Sequence, residues 1–415
     1  MGAIGIVAEY NPFHTGHALQ LARTRAMLGA DLPAVAVMSG NWVQQADCAV
    51  ADKWTRAQLA LMGGIDLVLE LPTVWAMSSA ESFARGAVAI LAAAGVADVL
   101  SFGSESGDIE QLRRVALSLD GAEYPALLKE QLGLGLSFPA ARQRAAEQLL
   151  GEDAAVLARP NNTLGIEYIR ALNGMGGAIR SVTVKREGAG HNEVCAVSGG
   201  DMTGEEANRL FWQHNPTLSA TAIRGHLTEG EWSLMEPYLP GGGLALLREN
   251  AAEPAALSRL ERTVLARVRT MSAQDWAQLP DSGGAEGLPN RLERAGRECT
   301  SIEEFFQLAK TKRYTHSRLR RLVLWAFLGL TAADVPAAPP YLRVLGFSAR
   351  GQELLREMKK TASLPIVTKP AQAKSLDEAG RRLLETESRC TDLYNLCRAT
   401  PRPAGEEWTR SPVRG

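Results

Sequence analysis

Two histidines three residues apart, in the run His14-Thr15-Gly16-His17, are the residues of this chain best placed to do chemistry. They follow an apolar stretch of strand type (Ile4, Ile6, Val7, Ala8) and a turn marked by Asn11-Pro12. A helix beginning at the histidines would put positions i and i+3 on one face. Both imidazoles would then point at one spot above the helix N-terminus. Free N–H groups and the helix dipole at that end favour anions. Gly16, lacking a Cβ, lets a phosphate approach the backbone. The combination suits an ATP phosphate chain whose α-phosphorus is under attack. Taken alone, the four letters fit two surface or capping histidines equally well. Their position favours the nucleotide reading, because doubly wound α/β folds place a phosphate-binding turn after the first strand.

Other groups fall at ends of segments. Lys185 and Arg186 close the strand-like run 179–185, and Arg224 lies about one turn into a helix that Ser219 could cap. Each could be a solvated surface charge. Together they are what α-phosphoryl chemistry needs, because charge builds on the equatorial oxygens and on the leaving pyrophosphate. Gly103 would let an adenine or ribose lie on the backbone, or is a turn glycine. Asn161 reads as the N-cap of an apolar helical run, which leaves Asn162 for a ligand. Residues 309 to 360 hold 11 Lys plus Arg against 3 Asp plus Glu, a local positive patch in a chain of net charge −1. Lys312, Arg313, Tyr314, Arg318, Arg320 and Arg321 interleave charge with an aromatic ring, which suits RNA backbone and exposed bases. The same stretch also reads as an amphipathic helix with Leu319, Leu322, Leu324 and Trp325 inward.

These groups need a scaffold. Strand-type runs occur at 3–9, 34–38, 65–71 and 97–102, separated by helical patterns at about 15–29, 52–63 and 78–94. The inner runs are continuously apolar, as in a parallel sheet buried on both faces. The fold expected is α/β, a doubly wound parallel sheet of Rossmann-like type followed by a mainly α-helical region. Ligands then bind at the carboxyl ends of the strands, where Glu9, Ser39-Gly40-Asn41, Glu70 and Gly103-Ser104-Glu105 stand. Further helices are expected at 201–207 and 218–227. The division expected is 1–240 catalytic, 241–400 mainly helical with a second short α/β patch at 341–347, and 401–415 disordered.

Composition narrows the class. The 415 residues are 46% hydrophobic, enough for a sizeable core. Five cysteines (Cys48, Cys195, Cys299, Cys390, Cys397) show no CxxC spacing, which points to a reduced, cytoplasmic setting. No apolar stretch is long enough to span a bilayer, and the chain enters a strand directly without a basic leader. Neither HExxH, nor a P-loop, nor GxSxG, nor a zinc-ligand cluster is present.

The motifs taken in order are more specific than any one of them. GIVAEYNPFHTGH, VMSGNWVQ, DKWTRAQLAL, DLVLELP, SFGSE, NNTLGIEYIRAL, KREGAGHN, SATAIR and KRYTHSRLRR run through residues 2–330. HxGH after the first strand is shared by the nucleotidyltransferase superfamily, class I aminoacyl-tRNA synthetases included. The series closely resembles the bacterial tRNA(Met) cytidine acetate ligases. That resemblance implies activation of acetate by ATP to acetyl-adenylate, then acetylation of N4 of the wobble cytidine of elongator tRNA(Met), giving N4-acetylcytidine without acetyl-CoA. It also implies ATP contacts from Val7, Ala8, Glu9, Tyr10, Asn11, Pro12, Phe13, His14, Thr15, Gly16, His17, Ala18, Leu19 and Gln20, and from Gly103, Asn162 and Arg186. The catalytic set expected is His14, His17, Lys185 and Arg224. Magnesium is expected with ATP, although no dedicated acidic metal site is visible and Glu9 and Glu105 are the only candidates. No obligate protein partner is expected. One departure stands out: Gln45-Ala46 occupies the place where the family is expected to carry Arg-Gly, and Arg56 is a candidate substitute for that arginine. The runner-up is an HxGH adenylyltransferase acting on a small phosphorylated metabolite, which would not need the basic helical region. A third reading is a non-catalytic RNA-binding protein on a decayed nucleotidyltransferase, against which the intact His14, Gly16 and His17 argue.

Overall fold

A computed structural model describes residues 2–186, 218–251, 253–283 and 287–415. Five parallel strands form the body of one sheet: β1 (Ala3–Ala8), β2 (Ala34–Ser39), β5 (Leu67–Leu71), β6 (Ala97–Ser104) and β7 (Arg180–Lys185). A short antiparallel hairpin, β3 (Trp42–Val43) with β4 (Asp47–Cys48), hangs from the end of β2. Three later strands join the edge of the sheet: β8 (Leu342–Phe347), β9 (Ile366–Val367) and β10 (Val413–Arg414). The strand order is β10-β8-β5-β2-β1-β6-β7. β8 lies antiparallel to β5, and β9 pairs with β8. The expected strand at 341–347 is thus present, but it extends the first sheet rather than starting a second α/β patch.

The core explains why the inner strands are apolar at every position. Val35 and Val37 of β2 face one layer, with the helix Ala80–Ala94 and the helices from 261 to 328. Ala34, Ala36 and Met38 face the other layer, with the helix Thr15–Leu28, the helix Lys53–Met62 and residues 218–247. Both faces are covered, so alternation would bury polar groups.

The segment 401–415, expected to be disordered, is built into the fold. It carries a short helix Glu406–Thr409 and the strand β10, and Glu407 is 1% exposed. Its carboxylate is bound by Lys53 and Arg343, both of them buried. The helix expected at 201–207 lies outside the described residues, as does Cys195. No helix among the described residues is long and apolar enough to cross a membrane.

Candidate active site at the strand ends

His14 is the N-cap of the helix Thr15–Leu28, with extended backbone at φ −147°, rather than its first helical residue. Its Nδ1 accepts from Gly16 N at 3.0 Å, and His17 Nδ1 accepts from His14 N at 3.2 Å. Two imidazoles thus form a capping box, the arrangement usually made by a hydroxyl and a carboxylate. The ring centroids are 3.9 Å apart. Because both Nδ1 atoms accept, each neutral ring carries its proton on Nε2. Burial, then Arg186 and Arg224, push His14 down to about 3. Burial, then His14 and Arg186, hold His17 well below the usual imidazole range. Two neutral Nε2–H donors therefore stand at a helix N-terminus whose dipole already favours anions.

The turn before this helix is stitched from behind. Tyr10 has φ +44°, in the left-handed region that non-glycine residues enter at a cost. Its ring packs edge-on against Phe13 and His17 at centroid distances of 4.8 Å each. Asn11 Oδ1 accepts from Val50 N at 2.8 Å, and the Asn11 carbonyl accepts from Arg224 at 3.2 Å. Tyr10, Asn11, Pro12 and Phe13 are buried, so their side chains are scaffold and only their backbone remains for a nucleotide. Val7, Ala8, Glu9, Gly16, Ala18, Leu19 and Gln20 are half-buried along the rim. Thr15 is 2% exposed, and its Oγ1 has no hydrogen-bond partner.

Arg224 lies in the helix Ala220–Thr228, which Ser219 caps through Ala222 N as expected. It faces Glu9, Asp47 and His14. Arg186 leaves the end of β7 with its backbone N–H on the Ser104 carbonyl at 2.8 Å. A Cβ at position 103 would come within 3.1 Å of Arg186 Cγ, so Gly103 and Arg186 are in close contact. Lys185 is exposed, and its stem lies against Gly107. Arg186 and Arg224, rather than Lys185, are the cations that act on the histidine pair.

Several expectations are corrected here. The N-cap of the helix Pro160–Gly174 is Arg159, not Asn161. Glu105 does the capping: it accepts from Asn161 N at 3.2 Å, Asn161 Nδ2 at 2.8 Å and Asn162 N at 2.8 Å. Asn162 is 2% exposed, and its Oδ1 accepts from Glu105 N and Ser106 N at 2.9 and 3.1 Å. This reciprocal clamp holds the β6 end and leaves Asn162 as scaffold beside the site. Nor is Glu105 free as a metal ligand. Among the described residues, the only group spaced to hold a cation is His226, Glu229 and Glu231, exposed or half-buried near the end of the Arg224 helix. Arg56 cannot substitute for a missing arginine. It is fully buried and donates to the carbonyls of Ala51, Glu9, Ser39 and Gly40, tying the ends of β1 and β2 together.

The basic run splits into two groups. Base stacking on Tyr314 does not hold, because Tyr314 is 5% exposed. Arg318 lies over the Tyr314 ring and donates to the Asp281 carbonyl at 2.9 Å, and Arg321 pairs with the Asp281 carboxylate at 3.0 Å. Lys312, Arg313 and Arg320 are exposed. Leu319, Leu322, Leu324 and Trp325 face inward, as the amphipathic reading expects.

A parallel sheet with a histidine-capped helix after β1 and converging arginines defines a nucleotidyltransferase of the HxGH class. The HIGH Nucleotidyl Transferase family matches residues 1–407. The chain is 36% identical over 423 residues to a tRNA(Met) cytidine acetate ligase of Thermoanaerobacter sp. (strain X514), covering 100% of both. It is 38% identical over 405 residues to that of Caldanaerobacter subterraneus subsp. tengcongensis, covering 95% of both. Thermotoga maritima TmcAL bound with alpha-thio ATP superposes with a TM-score of 0.86 at 32% identity, covering 100% of this chain and 99% of that one. The apo form gives 0.89 at 33% identity with the same coverage. The chain belongs to the tRNA(Met) cytidine acetate ligase family of HIGH nucleotidyl transferases.

Proposed function

We propose that this chain uses ATP to activate acetate as acetyl-adenylate and transfers the acetyl group to N4 of the wobble cytidine of elongator tRNA(Met). The relatives' names supply the substrate class, and the ATP analogue on the Thermotoga protein supports ATP as the activating substrate. One observation carries the chemistry: both histidine Nδ1 atoms are spent on backbone N–H groups, which leaves two Nε2–H donors side by side at a helix N-terminus.

Acetate is a weak nucleophile. Catalysis must therefore align it with the α-phosphorus and stabilise the charge on the leaving pyrophosphate. In this reading His14 and His17 donate to the phosphates through the displacement, with no proton transfer of their own. Arg186 and Arg224 supply positive charge, and the backbone of 7–20 with Gly103 holds the nucleotide. Magnesium would accompany the ATP phosphates. The mixed anhydride must be kept from water. The cytosine must arrive unstacked, as anticodon loops allow, and the exposed Lys312, Arg313 and Arg320 are the charges offered to the RNA backbone.

The test is incubation of the pure protein with ATP, radiolabelled acetate and bulk bacterial tRNA, followed by nucleoside analysis. Label in N4-acetylcytidine supports the reading. AMP without labelled tRNA means that activation survives with a different acceptor. No acetate-dependent AMP transfers the case to an adenylyltransferase of small phosphorylated metabolites.

A further inference from the structure

Acetyl transfer to an amine releases a proton, and the carboxylates at the strand ends differ in what they are free to do. Glu70 is buried against Lys53 at 2.6 Å. Glu105 is committed to the N-terminus of the helix Pro160–Gly174. Glu9 has Oε1 held by Gln44 N at 2.8 Å. Asp47, at the end of the β3–β4 hairpin, is exposed, and its Oδ1 accepts from the backbone N–H of its neighbour Cys48 at 2.8 Å.

The placement of Asp47 is specific. Arg224, which also acts on His14, faces it from the helix Ala220–Thr228, and Arg320 faces it from the helix His316–Leu328. It therefore stands between the cation of the nucleotide site and an exposed cation of the basic run. Its direction is fixed from both sides. Gln44 ties the hairpin to Glu9, and Ala46 holds φ +57°, a left-handed conformation in a 6% exposed residue.

We propose that Asp47 is the proton acceptor for the amine that attacks the acyl-adenylate, an assignment that rests on the function proposed above. The amine lone pair attacks the carbonyl carbon and forms the C–N bond. The bond from that carbon to the phosphate oxygen breaks, and AMP departs with the electron pair. The amine proton passes to the Asp47 carboxylate and then to water. Asp47 reaches solvent, yet the protein packed around it displaces enough water to raise its carboxyl, against the Cys48 N–H and the two arginines. It is thereby a better base than a fully solvated aspartate.

Asp47→Asn keeps the acceptor for Cys48 N and removes the base. Two half-reactions separate the roles: acetate-dependent ATP–pyrophosphate exchange, and single-turnover acetyl transfer to saturating tRNA across a pH series. The expected result is unchanged exchange and tRNA affinity, with transfer slowed by about 10²–10⁴-fold and its acid limb lost. Asp47→Glu should restore part of the rate and the limb. Transfer at the wild-type rate overturns the assignment, and so does a loss of exchange or of tRNA binding that accounts for the slower transfer. If the wild-type protein shows neither exchange nor transfer, the proposed function fails and this assignment with it. Normal wild-type transfer with an unimpaired Asp47→Asn overturns the assignment alone.

Discussion

Glu407 offers the sharpest stability test, because it lies eight residues from the end of the chain in a segment that composition marks as disordered. Lys53 Nζ is 2.5 Å from Glu407 and 2.6 Å from Glu70, Arg343 Nε is 3.3 Å from Glu407, and every side chain in the group is 2% exposed or less. Burial alone would push the Lys53 ammonium down. Glu407, then Glu70 and Glu387, overcome that and hold it above its usual range. Glu407→Gln keeps the shape and leaves two buried cations facing one fewer carboxylate. Removing one partner of a buried pair costs about 3–5 kcal/mol. With an unfolding entropy of roughly 2.1 cal/mol/K per residue over the 415 residues, that is a fall in Tm of roughly 3–6 °C if unfolding is cooperative. Calorimetry on the full chain reads this directly. Deleting residues 401–415 should cost at least as much. Adding Lys53→Met to Glu407→Gln should recover part of the loss, since the pair is then removed together. A Tm within about 1 °C of wild type for both the substitution and the deletion would refute the reasoning.

Glu387 is pushed up to about 8 by burial first and then by Glu70. The native state keeps this proton where the unfolded chain releases it, so its contribution is present below about 4.5 and is lost as pH rises through about 8; Glu387→Gln should flatten that part of a stability–pH profile. His14, pushed down to about 3, stays neutral through the ordinary imidazole range, so ATP-dependent activation by the free enzyme should show no histidine limb near 6.5. His17→Ala removes one of the two Nε2 donors and should slow activation by about 10²–10³-fold with tRNA affinity intact; unchanged activation would exclude the donor role. Arg320→Ala should weaken tRNA binding and lower its salt slope by about 1, whereas unaltered binding would make that helix face a solvated one.

The alternation of strand and helix from residue 3 to residue 104 was legible because burial on both sheet faces writes itself into sequence as continuous apolar runs. The histidine motif was legible for the same reason, since its meaning depends on following β1. Its geometry was not. Spacing alone put His14 inside the helix, while the chain uses it as the cap, and the difference decides which ring nitrogen carries the proton.

What escaped a linear reading is the set of polar side chains whose partners are far apart in the chain. Glu105 and Asn162 read as ligand candidates because each stands at a segment end, yet they satisfy each other's backbone across 57 residues. Arg56 reads as a surface helix residue and is instead the tie between the β1 and β2 ends. Glu407 is separated from Lys53 by 354 positions, and no local pattern can show that a tail of Pro, Gly, Arg and Glu supplies the counter-charge to a lysine behind the catalytic rim. The same physics accounts for all three. A strand end at which a reaction is run must present unpaired polar groups, so it needs polar neighbours held in place, and in a buried layer those are held by charges that leave nothing unmatched. Gly40 shows how close that support comes: a Cβ there would meet Glu70 Oε1 at 2.7 Å, so the buried cluster begins one side chain behind the end of β2. Loss of Glu407 should therefore be felt at the nucleotide site as well as in stability, as a weaker KM for ATP in a variant whose histidine pair is untouched.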